Sequence, residues 1–401
     1  MRARRSRRYF LFLILAAFWI SSAPPAPSIS ARAQKKQGTK PQQLDKGIVW
    51  QRDAATGELR IASASDSAQP TGGSSSGAPA ALEVRTQMVP VTCVVSTSDG
   101  TAVPGLRSDD FRVYEDGLAQ KISYFDASTQ PASVALILDA SPSVLPNADE
   151  MRQAADALID ALAPLDRAAV VDFSAHTYLQ LPFSDVREEI RRAVDRVNIR
   201  DLFADTGGSN IYEAVYLTAH ELFHGGTGRK AIVLLTDGQD SGLGLTFDPD
   251  SMAPQPGRPN QLAFDDVARL LAAEDIQLFA VSTENRPKVM TPVWLDEHRG
   301  ATLVTPAART LGIPAYTLYL AELVRRTGGQ LYFLNESASV AGTFRKIAEK
   351  IRAEYTLGFY PALGANAPDD RPGWHPLSVE VPDDPSVRVA NRAAYYVPAV
   401  H

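Results

Sequence analysis

The chain has one cysteine, Cys93, in 401 residues, so no intramolecular disulfide can staple the fold. Cys93 lies in an apolar strand pattern and reads as a small buried hydrophobe. There are six histidines, and His176, His298, His375 and His401 stand isolated. The apolar run Phe10–Ile20 has eleven residues, whereas a membrane-spanning helix needs about 20. No cysteine follows that run closely, which argues against a lipid-anchored lipoprotein. There is no surplus of positive charge either. The formal net charge is −6, and losing residues 1–33 removes six arginines and no acids, giving −12. An acidic chain argues against a nucleic-acid partner and is compatible with cation binding.

What is present centres on Val134-Ala-Leu-Ile-Leu-Asp139-Ala-Ser141-Pro-Ser143. A continuous apolar run predicts a strand buried on both faces, as in parallel sheets. Open α/β sheets place ligands at the carboxyl ends of their strands, where Asp139 falls. Asp139, Ser141 and Ser143 offer one carboxylate and two neutral oxygens. That set suits a hard cation such as Mg2+ and is poor for zinc, which prefers His and Cys. The alternative is a simple strand-to-helix turn, with Ser143 or Asn147 capping the next helix. Lys230-Ala-Ile-Val-Leu-Leu-Thr236-Asp237 is a second apolar strand ending in an aspartate. Thr206-Gly-Gly-Ser209 is a tight turn presenting a hydroxyl at a helix start. Three oxygen donors at element ends fit one convergent site.

These residues resemble the von Willebrand factor A domain. Its metal-ion-dependent adhesion site combines Asp-x-Ser-x-Ser, a Thr in a second loop and an Asp in a third. The resemblance implies a metal site of Asp139, Ser141, Ser143, Ser209 and Asp237, holding Mg2+, with Mn2+ or Ca2+ as alternatives. It implies that Ser141 and Ser143 touch the ion, Ser209 directly or through water, while Asp139 and Asp237 hold waters and orient the serines. Ser209 replaces the usual Thr, keeping the oxygen and losing a methyl. Gly105-Leu106, Asp110-Phe111, Glu115-Asp116-Gly117 and Phe125 further resemble secreted bacterial "VWFA-related" proteins, over residues 82–397.

The expected fold is α/β: a doubly wound, mostly parallel sheet beside a β-sandwich-like module made from segments before and after it. Residues 1–33 read as a signal peptide, with a basic start, an apolar run and Ala31-Arg-Ala33 as cleavage site. An uncleaved anchor is the alternative, and both the general and twin-arginine export routes fit. Residues 34–80, rich in Gly, Ser, Gln and Pro, read as a mostly unstructured linker, with Ile48-Val-Trp and Leu59-Arg-Ile as brief exceptions whose alternative reading is a docking peptide. Residues 81–130 predict β-strands with a hairpin at Asp116-Gly117. Strand–helix alternation over 131–354 predicts a doubly wound sheet, which the resemblance makes the A domain. Three strands are expected in 355–401, pairing with 81–130. Two segments, 241–261 and 285–314, look like insertions, and 240–263 should border the metal rim. Asp205 and Asp240 read as solvated loop carboxylates.

A rival chemistry lies in His220-Glu221-Leu-Phe-His224, an H-E-x-x-H pattern on a helix that would suit a zinc hydrolase. Both histidines fall opposite the stripe Ile211, Val215, Thr218 and Leu222, and no third ligand is evident. The expected function is therefore non-enzymatic. It is a secreted or periplasmic adhesion module that binds an acidic side chain of a partner protein through the metal, with no nucleic acid involved. The alternatives are an envelope scaffold with a vestigial site and a metal-assisted hydrolase.

Overall fold

The computed structural model describes residues 40–53, 57–63, 88–98, 100–128, 130–197, 209–226, 228–240, 261–298, 302–334, 340–361 and 372–397. Before the A domain come β1 (Gln42–Gln43), β2 (Ile48–Arg52), β3 (Leu59–Ser63), β4 (Val89–Ser96), β5 (Arg112–Glu115), β6 (Leu118–Gln120) and β7 (Ile122–Asp126). Next are β8 (Ala132–Asp139), α1 (Ala148–Ala161), β9 (Arg167–Phe173), β10 (Thr177–Ser184), α2 (Arg187–Asp195), α3 (Ile211–Phe223) and β11 (Arg229–Thr236). They are followed by α4 (Phe264–Ala273), β12 (Ile276–Ser282), α5 (Pro292–Glu297), α6 (Pro306–Thr310), α7 (Ala315–Arg326), β13 (Leu331–Phe333) and α8 (Val340–Arg352). The chain closes with β14 (Glu354–Phe359), β15 (Gly373–Glu380), β16 (Arg388–Asn391) and β17 (Ala394–Val397).

The main sheet runs β1-β10-β9-β8-β11-β12-β13. Strands β9, β8, β11, β12 and β13 are parallel, and β10 and β1 extend the edge antiparallel. Every residue of β8 is buried, as its unbroken apolar run requires. Side chains alternate between two layers. Val134, Leu136 and Leu138 pack with α1, α2 and α8, while Ala135 and Ile137 pack with α3, α4 and α7. Burying a Leu or Ile this way is worth roughly 1.5–3 kcal/mol. The chain runs from β8 outward to β9 and β10, then returns to β11 on the other side. Asp139 and Asp237 therefore end the two neighbouring strands at the switch of winding direction, the place such sheets use for ligands.

The flanking module has the predicted composition. One sheet runs β16-β4-β14-β7 and the other β17-β15-β5-β6, so strands from before and after the A domain interleave in both. Cys93 faces Tyr355, Val91 faces Leu357, and Glu115 faces Leu377 across antiparallel ladders. Phe111, Val91, Cys93, Leu357, Phe359 and Val379 form the module's core. Cys93 is the small buried hydrophobe expected, and burial pushes its thiol well up.

Two readings differ from the structure. The expectation of an unstructured linker over 34–80 departs from what is seen at its described residues, which form β1 and the hairpin β2–β3. Leu44 and Leu59 are buried in the core beside α3 and α4, so this stretch has an apolar face despite its polar composition. Strand β1 pairs with β10 and extends the main sheet beyond it. The segment 285–314 contains α5 and α6, and Met290, Leu303, Val304 and Ile313 join the main core. The signal segment 1–33 and residues 241–260 lie outside the described residues. No described helix is long and apolar enough to cross a membrane.

Candidate metal centre

Asp139 ends β8 and is 2% exposed. Its Oδ1 accepts from the Ser141 backbone N–H at 2.9 Å, closing a tight turn. That turn directs the Ser141 hydroxyl to within 3.0 Å of the Ser143 hydroxyl. Ser141 is buried and Ser143 exposed, so the pair points from the sheet rim outward. The other carboxylate oxygen of Asp139 accepts from Thr236 Oγ1 at 2.6 Å. Thr236 Oγ1 in turn accepts from the Gly238 N–H at 3.0 Å. One hydroxyl thus ties the ends of β8 and β11 together.

Asp237, 3% exposed, follows at once. Its Oδ1 accepts from the Gln239 N–H at 2.9 Å, while Oδ2 is buried with no hydrogen-bond partner among the described residues. A buried carboxylate oxygen left so costs about 1–3 kcal/mol or more, which a cation or a water held by one would offset. Burial pushes the Asp139 carboxyl up to about 6. Hydrogen bonds from Ser141 and Thr236 oppose that rise, and Asp237 adds to it. Two acidic groups are therefore held at one dry rim, a setting that favours a positive ion.

Ser209, 6% exposed, precedes α3. Its loop is tied to the end of β9. The Asn210 N–H donates to Ser174 O at 2.9 Å, and Asn210 Nδ2 donates to Ala175 O at 2.9 Å. On the other side, Asp240 Oδ1 accepts from the Ile211 N–H at 2.7 Å. Asp240 is therefore a half-buried cap that joins the β11 loop to α3, not a solvated loop carboxylate. Asp205 lies outside the described residues.

The five predicted residues stand where β8, β11 and α3 meet the same rim. Asp139, Ser141 and Ser143 are linked by contact, Asp237 adjoins the Thr236 that binds Asp139, and Ser209 sits in the loop tied to Asp240. The donors are all oxygens, and among the described residues no group of three or more His, Cys, Asp or Glu is placed to hold a metal. A hard divalent cation fits this set of hydroxyls with few carboxylates. Sequence reading missed the roles of Thr236 and Asn210. The only available signal for Thr236 was a hydroxyl residue directly before the strand-end aspartate.

The H-E-x-x-H residues lie elsewhere on α3. His220 is exposed, with Nδ1 2.8 Å from Glu221, and His224 is 84% exposed, with Nδ1 3.1 Å from Glu274.

The family model described as von Willebrand factor type A domain matches residues 133–290. No curated protein matches the chain. Among solved structures, an aerotolerance-related membrane protein from Bacteroides fragilis NCTC 9343 is 16% identical with a TM-score of 0.37, covering 55% of this chain and 98% of its own. BatB from Bacteroides thetaiotaomicron gives the same identity, score and coverage. Proximal thread matrix protein 1 from the mussel byssus, with a zinc-occupied MIDAS motif, is 16% identical with a TM-score of 0.38, covering 59% of this chain and 48% of its own. With its doubly wound sheet, its rim of oxygen donors and the family match over both aspartate-ended strands, the chain contains a von Willebrand factor type A domain, matched at residues 133–290.

Proposed function

We propose that the protein works outside the cytoplasm as a divalent-cation-dependent protein-binding module, with an acidic side chain of the partner completing the metal shell. The observation that carries this reading is the buried Asp237 Oδ2, without a hydrogen-bond partner among the described residues, at the rim that also presents the Ser141–Ser143 hydroxyl pair. Ser141, Ser143 and Ser209 would meet the ion through neutral oxygens, with Asp139 and Asp237 orienting them. Such a shell neutralises little of the ion's charge, so a carboxylate from outside is strongly attracted. Mg2+ or Mn2+ is the proposed ion, with Ca2+ as the alternative. The basic-then-apolar N-terminal sequence supports export. The role is binding, not catalysis.

Calorimetry with Mn2+ tests the site. Wild type should bind, and Asp139→Ala should abolish binding while the fold survives, because Asp139 sits at the rim of the sheet and not in its apolar core. Equal affinity in both would sink the assignment. Capture of a partner from envelope extract should need divalent cation, and should fall with chelator and with Asp237→Ala. Capture that persists in chelator, with Asp139 and Asp237 both replaced, would favour a scaffold role.

A further inference from the structure

The hairpin β2–β3 reaches the metal rim through a chain of side chains. Trp50 Nε1 donates to Glu213 Oε1 at 3.3 Å. Glu213 Oε2 accepts from Asn210 Nδ2 at 3.3 Å. Asn210 directly follows Ser209 and fixes that loop to Ser174 and Ala175.

The hairpin is firmly seated. The Trp50 ring meets Tyr216 edge-on at 5.2 Å. Arg52 grips buried Asp266 with two hydrogen bonds, at 2.9 and 2.6 Å, a fork geometry that fixes direction as well as distance. Leu44 and Leu59 are buried in the same core. Next to the rim, Asp45 Oδ2 lies 2.6 Å from His176 Nδ1, and Leu44 N donates to Thr177 O at 2.8 Å. Glu213 is half-buried and bridges the two donors Trp50 and Asn210. Losing the indole N–H would leave one carboxylate oxygen short of a donor in a partly dry site, and the carboxylate would reorient.

We infer that Trp50 is a positioning residue for the metal centre: through Glu213 it fixes Asn210, and with it the backbone that presents Ser209. This rests on Ser209 being a ligand of the proposed site. Coupling of this kind is reciprocal, so a cation at the rim tightens the hairpin, and a molecule that displaces the hairpin weakens cation binding.

The test uses the full chain with Mn2+ as probe, in wild type, Trp50→Phe, Asn210→Ala, the double variant and Asp139→Ala. Phe keeps an aromatic ring against Tyr216 and removes the N–H donor together with part of the indole's packing, and the double variant separates the two effects. Residues that orient metal ligands are worth about 10- to 100-fold in affinity, and Trp50 acts one link further out. Trp50→Phe should therefore weaken Mn2+ binding about 3- to 10-fold. It should also speed hydrogen exchange at the Asn210 and Ile211 amides. In the Asn210→Ala background it should add nothing, because the route runs through Asn210. Unchanged affinity and exchange in Trp50→Phe overturns the inference. So does an effect additive with Asn210→Ala, which would mark a general loss of stability. Loss of binding in Asp139→Ala with none in Trp50→Phe removes the inference and keeps the metal site. Equal binding by wild type and Asp139→Ala, or no binding by wild type, overturns both.

Discussion

Thr236 does at this rim what no single ligand does: it joins two strand ends. Its hydroxyl donates to Asp139 and accepts from Gly238, so both of its hydrogen-bonding roles are used across the β8–β11 boundary. Thr236→Val keeps the shape of the side chain and removes both bonds. The expected outcome is a loss of about 1–2 kcal/mol of stability in urea unfolding. A 10- to 100-fold weaker Mn2+ affinity should accompany it, because Asp139 is no longer held. Unaltered affinity would show that the turn to Ser141 alone orients the aspartate. The contrast with Asp139 itself shows what a sequence displays. The Asp139-x-Ser141-x-Ser143 spacing is local, so its chemistry can be read directly. The role of Thr236 depends on β8 and β11 being neighbours in register, with Leu138 opposite Leu235. That fact belongs to the fold and leaves no trace in either segment alone. Asp240 reads as solvated from sequence for the same reason, since the N–H it caps lies 29 positions earlier in the chain.

Helices and strands of strong periodicity were legible, and two elements outside the standard pattern were not. The α/β alternation and the apolar strands β8, β11 and β12 need only local hydrophobic pattern. The stretch Asn285–Pro314 has prolines and no clean period, so it reads as an insertion. It is fastened instead by single side chains: Met290 is fully buried, Leu303 and Ile313 lie in the same core, and the Leu303 N–H donates to Glu322 at 2.9 Å. Met290→Ala should therefore cost about 2–5 kcal/mol, the value for a core position. A cost under 0.5 kcal/mol in urea unfolding, as for a surface loop, would contradict this placement. The hairpin β2–β3 is the same case in a polar setting. Trp50, Arg52 and Leu59 hold it; the short apolar runs at Ile48 and Leu59 stand out in the sequence, but the Gly- and Ser-rich composition around them gives no sign that they pair. At Gly328-Gly329, just past the end of α7, the backbone itself requires the pair. Gly328 has φ +76°, and a Cβ on Gly329 would fall 1.8 Å from Leu278 O.

At the scale of the whole molecule, the chain leaves the β module at Asp126 and returns at Glu354, and β7 and β14 are paired neighbours. The A domain is thus held by two adjacent strands, and the joint beneath it is polar. Arg229 donates there to the carbonyls of Ser128, Ile351 and Glu354, at 2.8, 3.3 and 2.7 Å. Committed to those carbonyls, it reaches the Glu354 carboxylate only at 3.6 Å. Glu354 Oε1 is buried with no hydrogen-bond partner among the described residues. Thr92, Asp126, Asp275, Lys230 and Arg229 line a small polar pocket of about 60 Å³ around it. Burial pushes the Glu354 carboxyl well above its ordinary range; Arg229 opposes this and Asp275 adds to it. The folded state therefore holds this proton more tightly than the unfolded chain, whose Glu titrates near 4.3. The resulting stabilisation is complete below that value and is lost as pH rises through the folded-state value. Glu354→Gln keeps the shape, carries no charge and removes this source of pH dependence. Urea unfolding of both proteins from pH 5 to 8 should show the variant gaining on wild type as pH rises. Parallel curves would mean that Glu354 stays ionised beside Arg229 throughout, and that the two parts of the molecule are joined by an ion pair instead of a protonated carboxyl.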